Sequence, residues 1–240
     1  MEIFDAHTHW GLSLALGTEV TTDDLLQQAE QSGVERIVIF PFPSTAIEDE
    51  RVNDRVLELG KSNGKFIPYY YIPEDLQPIP KEKNFYGGKW HWVRGIQDRS
   101  SNYQVLDDPE LHHFIETSEE IGLPIVFEEE LAFTEAFVKR TKDLRIIIPH
   151  LGMLGGNPSD FLHAFKKRET VYFDTALSSP ETILHFVNQI GKERILFGSD
   201  IPFSTMKREL EKILSLPVAD DVKEWLLSRN LKILTRCDEK

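Results

Sequence analysis

The chain has a single cysteine, Cys237, among 240 residues. A disulfide framework and a cysteine-ligated zinc knuckle are therefore excluded, and any metal must be held by His, Asp or Glu. No run of 18 apolar residues occurs, which argues against a helical membrane span. Basic charge is scarce: 27 Lys and Arg stand against 40 Asp and Glu, a formal net charge of −13. Such a chain repels a phosphate backbone, and Lys166-Lys167-Arg168 reads as a solvated helix end, so nucleic acid and anionic membrane are not expected partners. Glu2 and Asp5 stand where a signal peptide would carry positive charge, which makes the cytoplasm the expected setting.

What is present is a regular alternation. Eight apolar runs read as strands: Glu2–Ala6, Arg36–Phe42, Lys65–Ile72, Trp92–Gln97, Pro124–Glu128, Leu144–Pro149, Thr170–Thr175 and Arg194–Gly198. Most are continuous Val, Ile, Phe and Tyr runs, the mark of a parallel sheet covered on both faces. Helical patterns lie between them. Thr22 to Gly33 has a capping residue, an acidic first turn and a glycine stop. Asp49 to Gly60, Asp108 to Gly122, Thr134 to Lys142, Pro158 to Arg168, Pro180 to Gly191 and Ala219 to Thr235 behave alike. Pro73 to His91 breaks the rhythm with no helix and reads as a binding loop or lid, or as a loop packed down by its own tryptophans. Eight strands with helical crossovers in about 250 residues predict an α/β fold, a single-domain (β/α)8 TIM barrel over residues 1–240. A doubly wound open sheet would need a Gly-rich loop after its first strand, and here that strand runs into His-Thr-His.

A barrel of this kind gathers its chemistry at the C-terminal strand ends. Strand one delivers Asp5, His7 and His9; the two histidines share a face by the two-residue period and can converge on one ion. Strand four delivers Arg94 and Gln97, followed by Asp98 and Arg99. Strand five ends at Glu128, strand six at His150, strand seven at Asp174-Thr175 and strand eight at Asp200. A carboxylate at the end of an apolar run needs a partner, which a metal supplies. His112, His113, His163 and His185 fall in helices and read as surface or packing residues.

These residues resemble the amidohydrolase superfamily, and more narrowly its amidohydrolase-related (family 2) branch of metal-dependent hydrolases and decarboxylases. The likeness rests on Asp5-Ala6-His7-Thr8-His9, Gly122-Leu123-Pro124, His150-Leu151-Gly152 and Gly198-Ser199-Asp200-Ile201-Pro202, and it continues to Asn230. The resemblance implies one divalent metal, zinc ahead of manganese, held by His7, His9 and Asp200, with His150 as a further ligand or as a catalytic residue facing the substrate. Two positions depart from the family pattern. Glu128 stands where the family has a histidine ligand; glutamate oxygen can still bind Zn²⁺ or Mn²⁺, so Glu128 is carried as a ligand. Neither Arg94 nor Gln97 can act as the bridging residue of two-metal members, which points to a single metal.

The expected activity is hydrolysis of a small ester, lactone or cyclic amide bearing a carboxylate. Metal-bound water would fall from a pKa near 16 toward about 7, Asp200 would take its proton, and His150 would stabilise the oxyanion or act as acid and base. Arg94 or Arg99 would pair with the substrate carboxylate, with Gln97 nearby, and Trp10, Phe42, Tyr71 and Trp92 would wall the pocket. The alternatives are a metal-dependent non-oxidative decarboxylase of a small aromatic or enoic acid and a non-catalytic or metal-free barrel. The expected partner is a small-molecule substrate. Barrel enzymes of this size often form homo-oligomers, although no residue pattern here marks a dimer face.

Overall fold

The computed structural model describes residues 1–91 and 101–238. Arg94, Gln97, Trp92 and the expected strand Trp92–Gln97 lie outside the described residues, as do Asp98 and Arg99.

Nine strands form one sheet in the order β2-β1-β3-β4-β5-β6-β7-β8-β9. They are β1 Phe4–Ser13, β2 Thr18–Val20, β3 Arg36–Pro41, β4 Phe66–Tyr71, β5 Gly87–His91, β6 Ile125–Glu128, β7 Ile146–Ile148, β8 Val171–Asp174 and β9 Ile195–Leu196. From β1 through β3 to β9 every pairing is parallel. The short β2 was not expected: β1 runs past the site and turns back on itself as an antiparallel hairpin, with Gly11 opposite Val20. The sheet curls, and the chain beyond β9 returns to β1, where Ala6 N–H donates to Phe197 O at 2.9 Å and His9 N–H to Ile201 O at 3.1 Å.

The continuous apolar runs behave as a two-faced sheet requires. Val38, Phe40, Ile67, Tyr69, Val126, Ile147 and Leu196 fill the inside of the curl, where Leu231 and Leu234 of the last helix join them. Alternate residues, among them Ile37, Ile39, Phe66, Phe127, Ile146 and Phe173, face outward into the helical layer. That layer includes α1 Thr22–Ser32, α2 Pro43–Glu48, α3 Val52–Ser62, α4 Pro109–Ile121, α5 Leu131–Val138, α6 Pro158–Phe165, α7 Pro180–Ile190 and α8 Met206–Ser215, followed by a helical run from Asp220 to Thr235 with a π turn at Trp225–Arg229. Local chemistry sets the ends. Thr21 and Asp24 form a reciprocal capping box ahead of α1, and Gly33 and Gly122 end α1 and α4 with φ of 75° and 68°.

Among the described residues no helix joins β4 to β5, in line with the break in the repeat at Pro73 to His91. One expectation is corrected. The fourth parallel strand lies at Gly87–His91, inside the stretch read as a loop, a shift that gives Lys89 and His91 inward positions beside β6. Gly87 explains the shift: a Cβ there would stand 2.4 Å from the buried Tyr69 ring, so the strand must carry glycine where β propensity would favour a branched residue. Trp90 packs the segment down, fully buried among Phe114, Phe127 and Phe137.

Beside Trp90, the buried Glu129 accepts hydrogen bonds from Trp90 Nε1–H and Ser101 Oγ–H. Burial pushes its carboxyl up to about 7, against those two hydrogen bonds. The folded chain therefore keeps this proton until about pH 7, whereas an unfolded chain releases it near 4.5. Wild-type stability should fall as the pH rises between these values and level off above them. Glu129→Gln keeps partners for both neighbours and carries no charge, so its advantage over wild type should grow between pH 5 and 8, by up to about 3 kcal/mol. Urea unfolding at the two pH values measures it, and an advantage that does not change with pH contradicts the assignment.

Candidate functional site

Strand periodicity brings the chemistry together. β1 is irregular where three steps from Asp5 to Thr8 face two steps from Ile37 to Ile39, a bulge of the kind that re-aims a side chain beside a site. His7 and His9 then converge: His7 Nε2 lies 3.4 Å and His9 Nε2 3.3 Å from Asp200 Oδ1. These three donors lie within 4.8 Å of one another, and all three residues are buried.

The remaining contacts orient this group. His7 Nδ1–H donates to Asp174 Oδ2 at 2.8 Å, which fixes the tautomer and leaves the Nε2 lone pair facing Asp200. Asp174 Oδ1 accepts from the backbone N–H of His150 and of Ala176, both at 3.0 Å. Asp5 Oδ1 accepts from His7 N–H and Ser199 N–H, tying the first and last strands beside the site. Gly198 permits a close approach here, since a Cβ would stand 3.0 Å from His7 Cβ and 3.4 Å from the Asp174 carboxyl and would press on both. His150 and Asp200 both sit in the left-handed region, each with φ of 53°, a local cost of the sort that surrounding structure maintains at functional sites.

The donor set fits a divalent metal. His7 Nε2 and Asp200 Oδ1 are buried with no hydrogen-bond partner among the described residues. Buried polar atoms are rarely left in that state, and one cation satisfies both. Burial pushes the His9 imidazole down to about 4 despite the neighbouring Asp200, which keeps it neutral as a ligand must be. Burial would raise the Asp200 carboxyl, but His7 and the contacts from His150 and His9 hold it far below the usual range.

His150 and Glu128, carried above as ligands, stand outside the three-residue group. His150 Nε2 lies 3.1 Å from Asp200 Oδ2, without the alignment of a hydrogen bond. Burial alone would lower this imidazole, but Asp200, aided by Glu128 and Asp174, lifts it to about 9. Glu128 is engaged elsewhere, with its Oε2 2.6 Å from Lys89 Nζ and 2.9 Å from His91 Nδ1. Burial would raise the Glu128 carboxyl, yet these two neighbours hold it well below its usual range.

The site opens into a cavity of about 830 Å³. His9, His91, Glu128, His150 and Asp200 contribute its polar side, and Phe42, Phe203, Leu14, Leu16 and Ile47 its apolar walls. Phe42 stacks on His9, with ring centres 4.7 Å apart and planes at 13°. Of the other expected wall residues, Trp10 faces away: its Nε1–H donates to Thr22 Oγ1 at 3.1 Å and its ring packs on the outer core. The bulge and the outward step of the strand account for this. Tyr71 is buried with its hydroxyl donating to His91 O.

Sequence reading missed Lys89 and His91 and assigned no role to Asp174 or Asp5. Asp174 stood at a strand end in plain view. Lys89 and His91 were hidden because Gly87 and Gly88 read as loop.

Residues 83–230 match the family model described as Amidohydrolase. No curated protein matches the chain. Among solved structures, 2,6-dihydroxybenzoate decarboxylase from Rhizobium is 17% identical and aligns over 99% of both chains with a TM-score of 0.77. A dihydroxybenzoic acid decarboxylase from Polaromonas, with bound manganese and the inhibitor 2-nitroresorcinol, is 15% identical over 99% of this chain and 97% of its own, with a TM-score of 0.77. An amidohydrolase from Burkholderia multivorans with bound zinc is 12% identical over 98% of this chain and 99% of its own, with a TM-score of 0.78. At such identities the likeness is one of fold.

Proposed function

Since the chain belongs to the amidohydrolase family, we propose that it is a metal-dependent non-oxidative decarboxylase of a small aromatic acid. The observation that carries this reading is the two-sided cavity, in which histidines and carboxylates meet aromatic and aliphatic walls. A flat ring bearing a carboxylate matches both sides at once. Two of the solved structures named above are decarboxylases of dihydroxybenzoic acids, which supports the same substrate type.

His7, His9 and Asp200 would hold the metal, zinc or manganese. When bound, it supplies Lewis acidity and an anchor for the substrate carboxylate. The chain's own residues do the rest. Phe42 and Phe203 on the apolar wall would lie against the ring. His150 Nε2 gives a proton to the ring carbon that carries the carboxylate. The bond between that carbon and the carboxylate then breaks, its electron pair stays with the ring, carbon dioxide leaves, and His150 regains its proton from solvent.

Hydrolysis of an ester, lactone or cyclic amide is the second reading, favoured by the likeness to the zinc-bound amidohydrolase. It asks Asp200 to collect a proton from water. Here His7 and His9 crowd Asp200 Oδ1 and His150 stands beside Oδ2, so neither oxygen is open for that task. A metal-free barrel would leave His7 Nε2 and Asp200 Oδ1 buried without partners.

We read residues 1–240 as one domain, with the hydrogen bonds from Ala6 to Phe197 and from His9 to Ile201 closing the eight parallel strands into a barrel. Among the described residues no helix is long and apolar enough to cross a membrane. The net charge of −13 supports a small-molecule partner over nucleic acid.

The test is a panel of hydroxybenzoic acids beside a panel of lactones and esters, supplied to protein loaded with Mn²⁺ or Zn²⁺. Carbon dioxide release from an aromatic acid is expected. Lactone or ester hydrolysis with no carbon dioxide from any acid would replace this reading with the second.

A further inference from the structure

Beside the cavity stands a second charged group that the reaction above does not use. β5 and β6 run side by side with His91 opposite Glu128, so Lys89, His91 and Glu128 project inward together. Lys89 is fully buried, its ammonium 2.6 Å from Glu128 Oε2 and 4.8 Å from the centre of the Phe40 ring. His91 Nδ1 lies 2.9 Å from the same carboxylate oxygen. A lysine buried this completely is uncommon unless paired, because removing an ammonium from water is costly. His91 and Glu128 line the cavity together with His150 and Asp200, and Lys89 lies behind them.

We propose that Lys89 is a built-in cation: its ammonium takes the place beside Glu128 that a second divalent ion would otherwise occupy, and it thereby limits the site to one metal. This rests on the metal-site reading of His7, His9 and Asp200 given above. Two features point to it. Glu128 and His91 are a carboxylate and an imidazole meeting at one point on the cavity wall, with His150 on the same wall, and these are the donor types that Zn²⁺ and Mn²⁺ accept. The ammonium and a dication also cannot share Glu128 Oε2, since like charges repel strongly in a buried setting. Charge is thus supplied by a side chain on this side of the cavity and by an exchangeable ion on the other.

The test counts metal. Full-length protein is equilibrated with excess Mn²⁺, freed of loose ion by desalting and analysed by plasma mass spectrometry and electron paramagnetic resonance. Wild type should retain about one ion per chain, with the spectrum of an isolated Mn²⁺. Lys89→Met should retain about two, with a spin-coupled spectrum. Lys89→Gln, which keeps a hydrogen-bond donor near Glu128 and is the variant to rely on if the methionine chain does not fold, should also retain about two. Lys89→Met combined with Glu128→Gln should return to about one. Two ions in wild type, or one in both single Lys89 variants, would overturn the proposal and leave the three-residue metal site standing. No ion in wild type would overturn both.

Discussion

Asp200→Asn should empty the metal site and abolish turnover. Asp200 Oδ1 faces both His7 Nε2 and His9 Nε2, and it contributes the only negative charge in the three-residue group. Asparagine keeps the shape and one oxygen but loses the charge, and an amide nitrogen in place of Oδ2 faces His150 Nε2, the proton donor of the reaction. Changing residues that merely orient a ligand costs about 10–100-fold in metal affinity, so loss of the anionic ligand itself should cost at least about 100-fold. A turnover deficit of about 1,000-fold, equivalent to about 4 kcal/mol of barrier, would follow. Calorimetric titration with Mn²⁺ and Zn²⁺ measures the first quantity. Thermal unfolding gives a check that needs no substrate: at metal concentrations of about 100 times Kd, wild type should gain about 2.7 kcal/mol, and the variant should gain almost nothing. Equal metal uptake by the two proteins would remove Asp200 from the site.

The second large effect is expected at a residue that touches no metal. Asp174 accepts three hydrogen bonds, from His7 Nδ1–H on one oxygen and from the backbone N–H groups of His150 and Ala176 on the other. In Asp174→Asn only one of the two sides can still accept. If the amide oxygen turns to His7, two buried backbone donors face an NH₂ group. If it turns to the backbone, His7 must flip its tautomer, and Nε2 then carries a proton where the metal needs a lone pair. Either outcome weakens the site, so metal affinity should fall about 10–100-fold and folding stability by about 1–3 kcal/mol. A purely structural residue would lower stability alone. The joint loss, read by calorimetry and by urea unfolding of the metal-free protein, therefore separates positioning from packing.

Several features were legible along the chain because they are local. The His7 and His9 pair follows from the two-residue period of a strand. The strand ends at His150 and Asp200 could be located because apolar runs are visible in sequence and parallel strands deliver their ends to one rim. The acidic first turn after Thr22 and the glycine stop at Gly33 placed the ends of α1 to within a residue. Hydrogen bonding could not be read in this way. Gly87 and Gly88 have no side chains to signal a strand, so Gly87–His91 reads as part of a loop, and the inward positions of Lys89 and His91 on β5 stay hidden.

The sequence by itself determined an α/β chain whose parallel strands alternate with helices, and the residue types gathered where those strands end. Only the tertiary structure decided how those residues pair. His7 and Asp174 are 167 positions apart, and Lys89 and Glu128 are 39 apart. Their meetings depend on strand register, on a bulge in β1 and on the close approach allowed at Gly198. Glu128 shows the consequence most clearly. As a strand-end carboxylate it suits a metal, and what commits it to Lys89 and His91 is the neighbouring strand, because a buried carboxylate takes whichever positive or hydrogen-bonding partner the fold brings closest.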